Sequence, residues 1–382
     1  MSDVYILDAV RTPRGKRNGS LAHTHPIDLA TVPLEALVER NKFNPADVSD
    51  VIYGCVSQRG EQDNVIAREA VLAAGWPLDV AGVTLNRFCG SGLTAVNWAA
   101  QAVMSGQEDL MVAGGVEHMT RVPMNIDFNM VGSKLAAKWP NLIPQGLSAE
   151  MISDRYHFSR SQLDEFAARS QKLAAQAWEQ NRFEKSIVSV KAKNAEGAEL
   201  IFTKDEHLRP STTVESLSNL KPSFKENGTI HAGNSSGIVD GASAVLLASP
   251  QKTKELGLKP RAKIISTAVA GDDPIIMLLG PIPTVKKALK KVNLKVDDID
   301  LWEINEAFAP VPLAVAQDLK IDLNKVKVNG GAIALGHPLG ATGAMLLGTL
   351  LDEMERQDKR YGCVTLCIGH GMGVATIIDR KI

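Results

Sequence analysis

Along this chain, apolar runs of strand length alternate with longer stretches in which apolar residues recur at helical spacing. "DVIYGCV" is followed by "DNVIAREAVLAAGW", "VAGVTLN", "GLTAVNWAAQAVMSG" and "DLMVAGG". The short runs are apolar throughout, which predicts strands buried on both faces within α/β layers. A similar order returns late in the chain as "DIDLWEIN", "AFAPVPLAVAQDLK", "KVKVNG", "ATGAMLLGTLLDEME" and "YGCVTLCIG".

The two series share more than class. "NPADVSDVIYG" echoes "KVDDIDLWEI", each an acidic turn leading into a strand, and each series continues through a strand, a Gly-rich turn, a helix and another strand. From Val51 to Cys89 is 38 positions and from Leu301 to His337 is 36. This is an internal duplication, too long in period for a solenoid. Between the halves, residues 119–248 are richer in charge and turn residues. There "SRSQLDEFAARSQKLAAQAW" predicts an amphipathic helix, with Ser159 and Gln162 as a capping box and Leu163, Phe166, Ala167, Ser170 and Ala174 on one face. The expected units are a first half at 1–118, an inserted segment at 119–248 and a second half at 249–382, the insertion being a candidate lid or binding region.

Composition narrows the function classes. The chain has 382 residues, room for two or three packed units, with 45% hydrophobic and 22% charged residues. Its 42 basic and 43 acidic side chains leave a net charge of −1, so nothing electrostatic favours nucleic acid or membrane as a partner. No run approaches the roughly 18 apolar residues of a membrane span. The start, "MSDVYILDAVRTPRGKRNGS", turns polar before a signal-like core develops, and "DRKI" is not a Ser-Lys-Leu address. Cys55, Cys89, Cys363 and Cys367 are too few for a disulfide framework, so a cytoplasmic location is expected.

Cys89, in "NRFCGSG", falls where a helix begins, and unpaired N–H groups and the helix dipole there favour a thiolate. A buried packing cysteine is the competing reading. Gly90, Gly92 and Ala95 also fit a dinucleotide fingerprint, but the unit is neither first in the chain nor followed by a clear ribose-binding acid. His337, in "NGGAIALGHPLGATGA", occupies the equivalent turn of the second half. A lone histidine is more often structural. Packing two pseudo-symmetric halves would bring the two turns together, making Cys89 and His337 a nucleophile and base pair. Asn305 and Glu306 in "WEINEAFA", and Cys367 and Gly369 in "CIGHGMG", end second-half strands, where α/β folds place ligands. Cys367 is open to three readings: packing, a metal ligand with Cys363, or a second catalytic thiol. Metal is disfavoured because no second ligand pair stands beside the two.

With "NRFCGSG", "GNSSGIVDGA" at 233–242, "GPIP" at 280–283, "NEAFA" at 305–309, "GGAIALGHPLGATGA" at 330–344 and "CIGHGMG" at 367–373, the whole chain resembles the thiolases. The resemblance implies duplicated βαβαβαββ halves forming a five-layer αβαβα sandwich with an inserted loop domain. It implies a homodimer, with pairing of two dimers as a further option, that cleaves or forms 3-ketoacyl-CoA thioesters in fatty acid β-oxidation or related lipid metabolism. Coenzyme A is then a substrate, and no cofactor is permanently bound. Carried over, Cys89 forms the acyl-enzyme, His337 takes or shares its proton, and Cys367 protonates the departing enolate. His337 and a water on Asn305 face the enolate oxygen, while the Cys89 and Gly369 N–H groups face the tetrahedral oxyanion. Positions matching the family's CoA contacts are Arg209, Ser216, Phe224 and Ser236, with Met277 and Phe308 lining the pantetheine tunnel.

The chain departs from the pattern in three places. "PQG" (Pro144, Gln145, Gly146) stands where small-acyl biosynthetic enzymes carry "HMG", His370 stands where the family usually has glycine, and His118 replaces a small or polar residue. The missing methionine points to the degradative reaction, with acyl groups longer than acetoacetyl. The alternatives are acetoacetyl-CoA formation and a catalytically silent thiolase-like binding subunit.

Overall fold

The computed structural model describes residues 2–124, 132–193 and 197–382. In the first half, β1 (Tyr5–Arg11), β2 (Asp50–Gly54), β3 (Ala81–Leu85), β4 (Leu110–His118) and β5 (Val239–Ala248) lie in the order β3-β2-β4-β5-β1. The second half contributes β6 (Ala262–Gly271), β7 (Leu301–Ile304), β8 (Tyr361–Ile368) and β9 (Met372–Asp379) in the order β7-β8-β9-β6. The pairings repeat: β2 is parallel to β4 as β7 is to β8, and β4 is antiparallel to β5 as β8 is to β9. The halves join edge to edge through two residue pairs between β1 and β6.

Alternation along the strands separates three apolar cores, and these define the five layers. Val51 and Tyr53 of β2 face outward onto helices 26–41 and 66–73, while Ile52 faces inward. The inward core holds Leu93, Val96 and Ala100 of α1 (Ser91–Ser105) and Leu346, Leu347 and Leu350 of the helix Leu339–Arg356, sandwiched between both sheets. Val285, Leu289, Val311 and Val315, from helices 281–291 and 310–319, cover the outer face of the second sheet.

The duplication is imperfect at "KVKVNG", where a strand like β3 is expected. Val326 makes one parallel bridge to Trp302, and Lys327 then takes a left-handed φ of 51°. Its buried ammonium pairs with Glu303, so the segment turns inward to neutralise a charge instead of extending. The inserted segment also returns to the sheet earlier than the expected boundary at 248, since β5 pairs with both β4 and β1.

Within the insertion lie α2 (Gln145–Tyr156) and α3 (Arg160–Glu179). The capping box of α3 forms, Ser159 and Gln162 bonding reciprocally, and the face carrying Leu163, Phe166, Ala167, Ser170 and Ala174 is buried. Asp205 ties the insertion to the sheet, accepting two Arg11 guanidinium bonds at 2.8 and 3.0 Å and the Arg14 N–H at 2.7 Å.

The two central helices, α1 and Leu339–Arg356 (hereafter α4), meet at their N-termini backbone to backbone. A Cβ on Gly92 would lie 2.6 Å from the Gly340 carbonyl oxygen, and one on Gly340 would lie 2.5 Å from the carbonyl oxygens of both Gly54 and Val116. These contacts hold only without side chains. Gly340→Ala is therefore expected to cost about 2 kcal/mol or more of stability through overpacking, seen as an earlier denaturation midpoint by circular dichroism; an unchanged midpoint would contradict the close approach.

Candidate active site

Cys89 sits on a strained turn immediately before α1. Phe88 has a left-handed φ of 43°, held by its N–H donating to Asn86 Oδ1 at 2.8 Å and its carbonyl accepting from Ser91 Oγ at 2.6 Å. The Ser91 hydroxyl oxygen in turn accepts the Arg87 N–H at 2.8 Å. A non-glycine residue in this region persists only where its surroundings over-determine it, and such residues cluster at functional sites. The thiol is nearly inaccessible. Burial pushes Cys89 up to about 12, against the lowering effect of its own N–H and of a hydrogen bond from the Gln145 side chain, with Glu117 adding to the rise. The thiolate expected from helix position alone is thus not the resting form; desolvation outweighs the N–H groups that favour it.

His337 occupies the corresponding turn before α4, and its hydrogen bonds fix the tautomer. Thr342 Oγ1 donates its single hydrogen to the Pro338 carbonyl at 2.8 Å, so at 2.6 Å it accepts from His337 Nδ1–H. Nε2 is then the free base, accepting from Asn305 Nδ2 at 3.2 Å. Burial, with repulsion from Arg14 and Lys327, pulls His337 down to about 3, keeping the ring neutral. Asn305 Oδ1 is buried with no protein partner, an acceptor left for a ligand or solvent.

The third turn follows β8. Cys367 is buried, and burial first, then the nearby Cys89, push its thiol well above the ordinary range. Gly369 lies against the first turn: a Cβ there would be 3.6 Å from the Phe88 ring and 3.0 Å from Gln145 Nε2. His370 is exposed at a left-handed φ of 63°, its ring edge-on to Phe88 with centroids 5.2 Å apart, so it packs at the rim. His118 is occupied structurally, its Nε2 3.0 Å from the Leu21 carbonyl and its Nδ1 accepting the Arg121 N–H at 3.2 Å.

Cys89 and Leu339, two residues after His337, share an apolar cluster with Met119. They also line one cavity of about 360 Å³ with Val56, Phe88, Asn86 and Gln145. Of the positions expected to meet coenzyme A, Phe224 and Phe308 meet edge to face at 5.9 Å, and the Ser236 N–H bonds the adjacent Ala307 carbonyl at 2.9 Å. Met277 is buried in the core that Phe308 packs against. Arg209 is exposed, its backbone N–H held by Gln171 at 2.8 Å; the exposed Ser216 hydroxyl is used in capping its own short helix. Among the described residues, no group of three or more His, Cys, Asp or Glu side chains is arranged to hold a metal.

Three residues of the site escaped the sequence reading. Glu117 is fully buried and joins the halves, accepting N–H groups of Val56 at 2.9 Å, Ser57 at 3.0 Å and Gly340 at 2.9 Å. An acid closing an otherwise apolar strand was the available signal. Thr342, five residues after His337, sets its tautomer, and Asn86, two before Phe88, was readable as an Asx turn.

Profiles described as "Thiolase, N-terminal domain" and "Thiolase, C-terminal domain" match residues 4–251 and 258–380. The 3-ketoacyl-CoA thiolase of Idiomarina loihiensis is 47% identical, covering 100% of both chains; that of Marinobacter nauticus is 47% identical over 99% of this chain and 98% of its own. Among solved structures, the Bacillus anthracis acetyl-CoA acetyltransferase superimposes with a TM-score of 0.92 at 41% identity, over 99% of each chain. Human mitochondrial 3-ketoacyl-CoA thiolase does so at 0.91 and 36% identity, over 100% of this chain and 99% of its own.

Proposed function

The chain belongs to the thiolase family, and from that membership we propose that it cleaves 3-ketoacyl-CoA with coenzyme A to acetyl-CoA and a shortened acyl-CoA. The observation that carries the degradative direction is the full-length identity of 47% to relatives named 3-ketoacyl-CoA thiolase. The acetoacetyl-forming alternative is not favoured, although the acetyltransferase shares the fold.

The site's resting neutrality supports a stepwise assignment. Cys89 Sγ attacks the C3 ketone as its proton passes to His337 Nε2, the unprotonated ring nitrogen. The resulting oxyanion meets the N–H groups of Cys89 and Gly369, each such donor contributing on the order of 3 kcal/mol. The C2–C3 bond then breaks, its electron pair leaving as the acetyl-CoA enolate, whose oxygen faces His337 and a water accepted by Asn305 Oδ1. Cys367, kept protonated by burial, gives its proton to C2. Free coenzyme A gives its thiol proton to the Cys367 thiolate and takes the acyl group from Cys89, whose departing sulfur regains its proton from His337. The Phe224 and Phe308 edge, with Ser236 and Met277, supports a pantetheine path, and exposed Arg209 and Ser216 support a nucleotide end.

A homodimer is part of this reading. β3 ends the sheet with one edge unpaired, and Val83 on it and Trp98 on α1 are exposed. Light scattering at micromolar protein should give twice the mass of the 41.0 kDa chain; a monomeric mass would contradict it. Four free thiols support a cytosolic setting, and no described helix is apolar and long enough to cross a membrane.

Incubation with 3-ketoacyl-CoA and no free coenzyme A should leave the acyl group on the Cys89 peptide by mass spectrometry. Cys367→Ala should still acylate from a saturated acyl-CoA while losing carbon–carbon cleavage. Label on Cys367 alone would overturn these roles. Specificity constants for thiolysis should rise from four- to six- and eight-carbon substrates, since each methylene buried adds about 0.8 kcal/mol. A fall across that series would return the acetoacetyl alternative.

A further inference from the structure

Gln145 stands where an apolar wall of the acyl pocket is expected, yet its polar amide reaches in among the turns of the site, Nε2 lying 3.0 Å from where a Cβ on Gly369 would be, and it favours the charged form of the Cys89 thiol. Gln145 is the first residue of α2, directly after its N-cap Pro144. Both Gln145 and Cys89 open onto the same cavity. Glycine at 369 leaves the room that the amide occupies, since a Cβ there would approach Nε2 to 3.0 Å.

The amide is held from behind. The Phe224 ring packs so closely on Gly146 that a Cβ there would fall 2.2 Å from it. One turn on, Ser148 Oγ donates to the Ile276 carbonyl at 2.7 Å, and the Glu150 carboxylate accepts the N–H groups of Thr229 and Ile230, each at 2.9 Å. A donor whose backbone is fixed this way reaches the sulfur without ordering cost at the moment of reaction.

We propose that Gln145 is a further catalytic residue of this enzyme, its amide N–H donating to Cys89 Sγ and stabilising the thiolate from which attack on the ketone occurs. The assignment rests on Cys89 being the nucleophile. A hydrogen bond to the charged form of an ionisable group favours that form, and at a dry thiol few other donors compete with the cost of burial. Because the amide is uncharged, it assists the thiolate without raising the positive charge that already disfavours protonation of His337. The acyl group then lies beside a polar amide instead of an apolar wall, an arrangement specific to "PQG" in this chain.

The test is the rate of Cys89 alkylation by iodoacetamide in the full-length enzyme across about pH 6.5 to 9.5, with the modified peptide identified by mass spectrometry. Gln145→Glu keeps the shape but replaces the donor with an acceptor. At pH 8 it should slow alkylation by more than about tenfold, and Gln145→Met by about tenfold, with each profile displaced to higher pH. Thiolysis should lose kcat in parallel while KM for the 3-ketoacyl-CoA stays within about twofold. If Gln145→Glu or, where that variant does not fold, Gln145→Met is alkylated at the wild-type rate throughout, the proposal is overturned while the nucleophile assignment stands. Label found elsewhere than Cys89 would overturn both.

Discussion

The contact on which the site depends is the backbone-to-backbone approach of two helix N-termini, Gly92 on α1 and Gly340 on α4. With no Cβ on either, the turns that precede these helices are drawn together, and those turns carry Cys89 and His337. Gly54 and Gly115 complete the contact, each with a would-be Cβ within 2.7 Å of the Gly340 carbonyl oxygen. Glu117 fastens it with a buried carboxylate that accepts the Gly340 N–H from one half and those of Val56 and Ser57 from the other. A helix pair spaced by ordinary side chains would separate the turns by several ångströms, and Cys89 and His337 with them.

Close packing also dries the site, and dryness sets the protonation states. Cys89, Cys367 and His337 are all held neutral by burial, and the charges that influence them come from Glu117, Arg14 and Lys327 rather than from partners at bonding distance. A neutral site suits the proposed reaction, in which negative charge appears on substrate oxygens, because hydrogen-bond donors act there at low dielectric and with little reorganisation. It also explains why direct hydrogen bonds, His337 to Thr342 and Asn305 to His337, carry the local electrostatics.

The inserted segment braces the turns that carry these residues. Ser170, on the apolar face of α3, donates to Glu306 at 2.7 Å and accepts the Gly331 N–H at 3.0 Å, joining the insertion to the residue after Asn305 and to the loop leading toward His337. Its α2 end places Gln145 on the cavity that Cys89 lines, and Asp205 anchors its far side on Arg11.

The alternating apolar pattern, the repeat of elements and the α3 capping box determined the layered α/β duplication before any coordinates, because periodicity records which faces are buried and the caps record where helices start. The Cys89 and His337 turns were readable for the same reason, as Gly-rich breaks at equivalent points of a repeat. Tertiary structure alone decided the rest. The thiolate predicted from helix position gave way to a neutral thiol, since local sequence carries the dipole but not the desolvation imposed by chain more than 200 residues away. Lys327 broke the repeat by turning inward to Glu303, and Glu117, Thr342 and Gln145 acquired their roles only when distant segments met. Burial and hydrogen-bond partnership depend on which segments become neighbours, and composition and spacing along a single chain do not encode that directly.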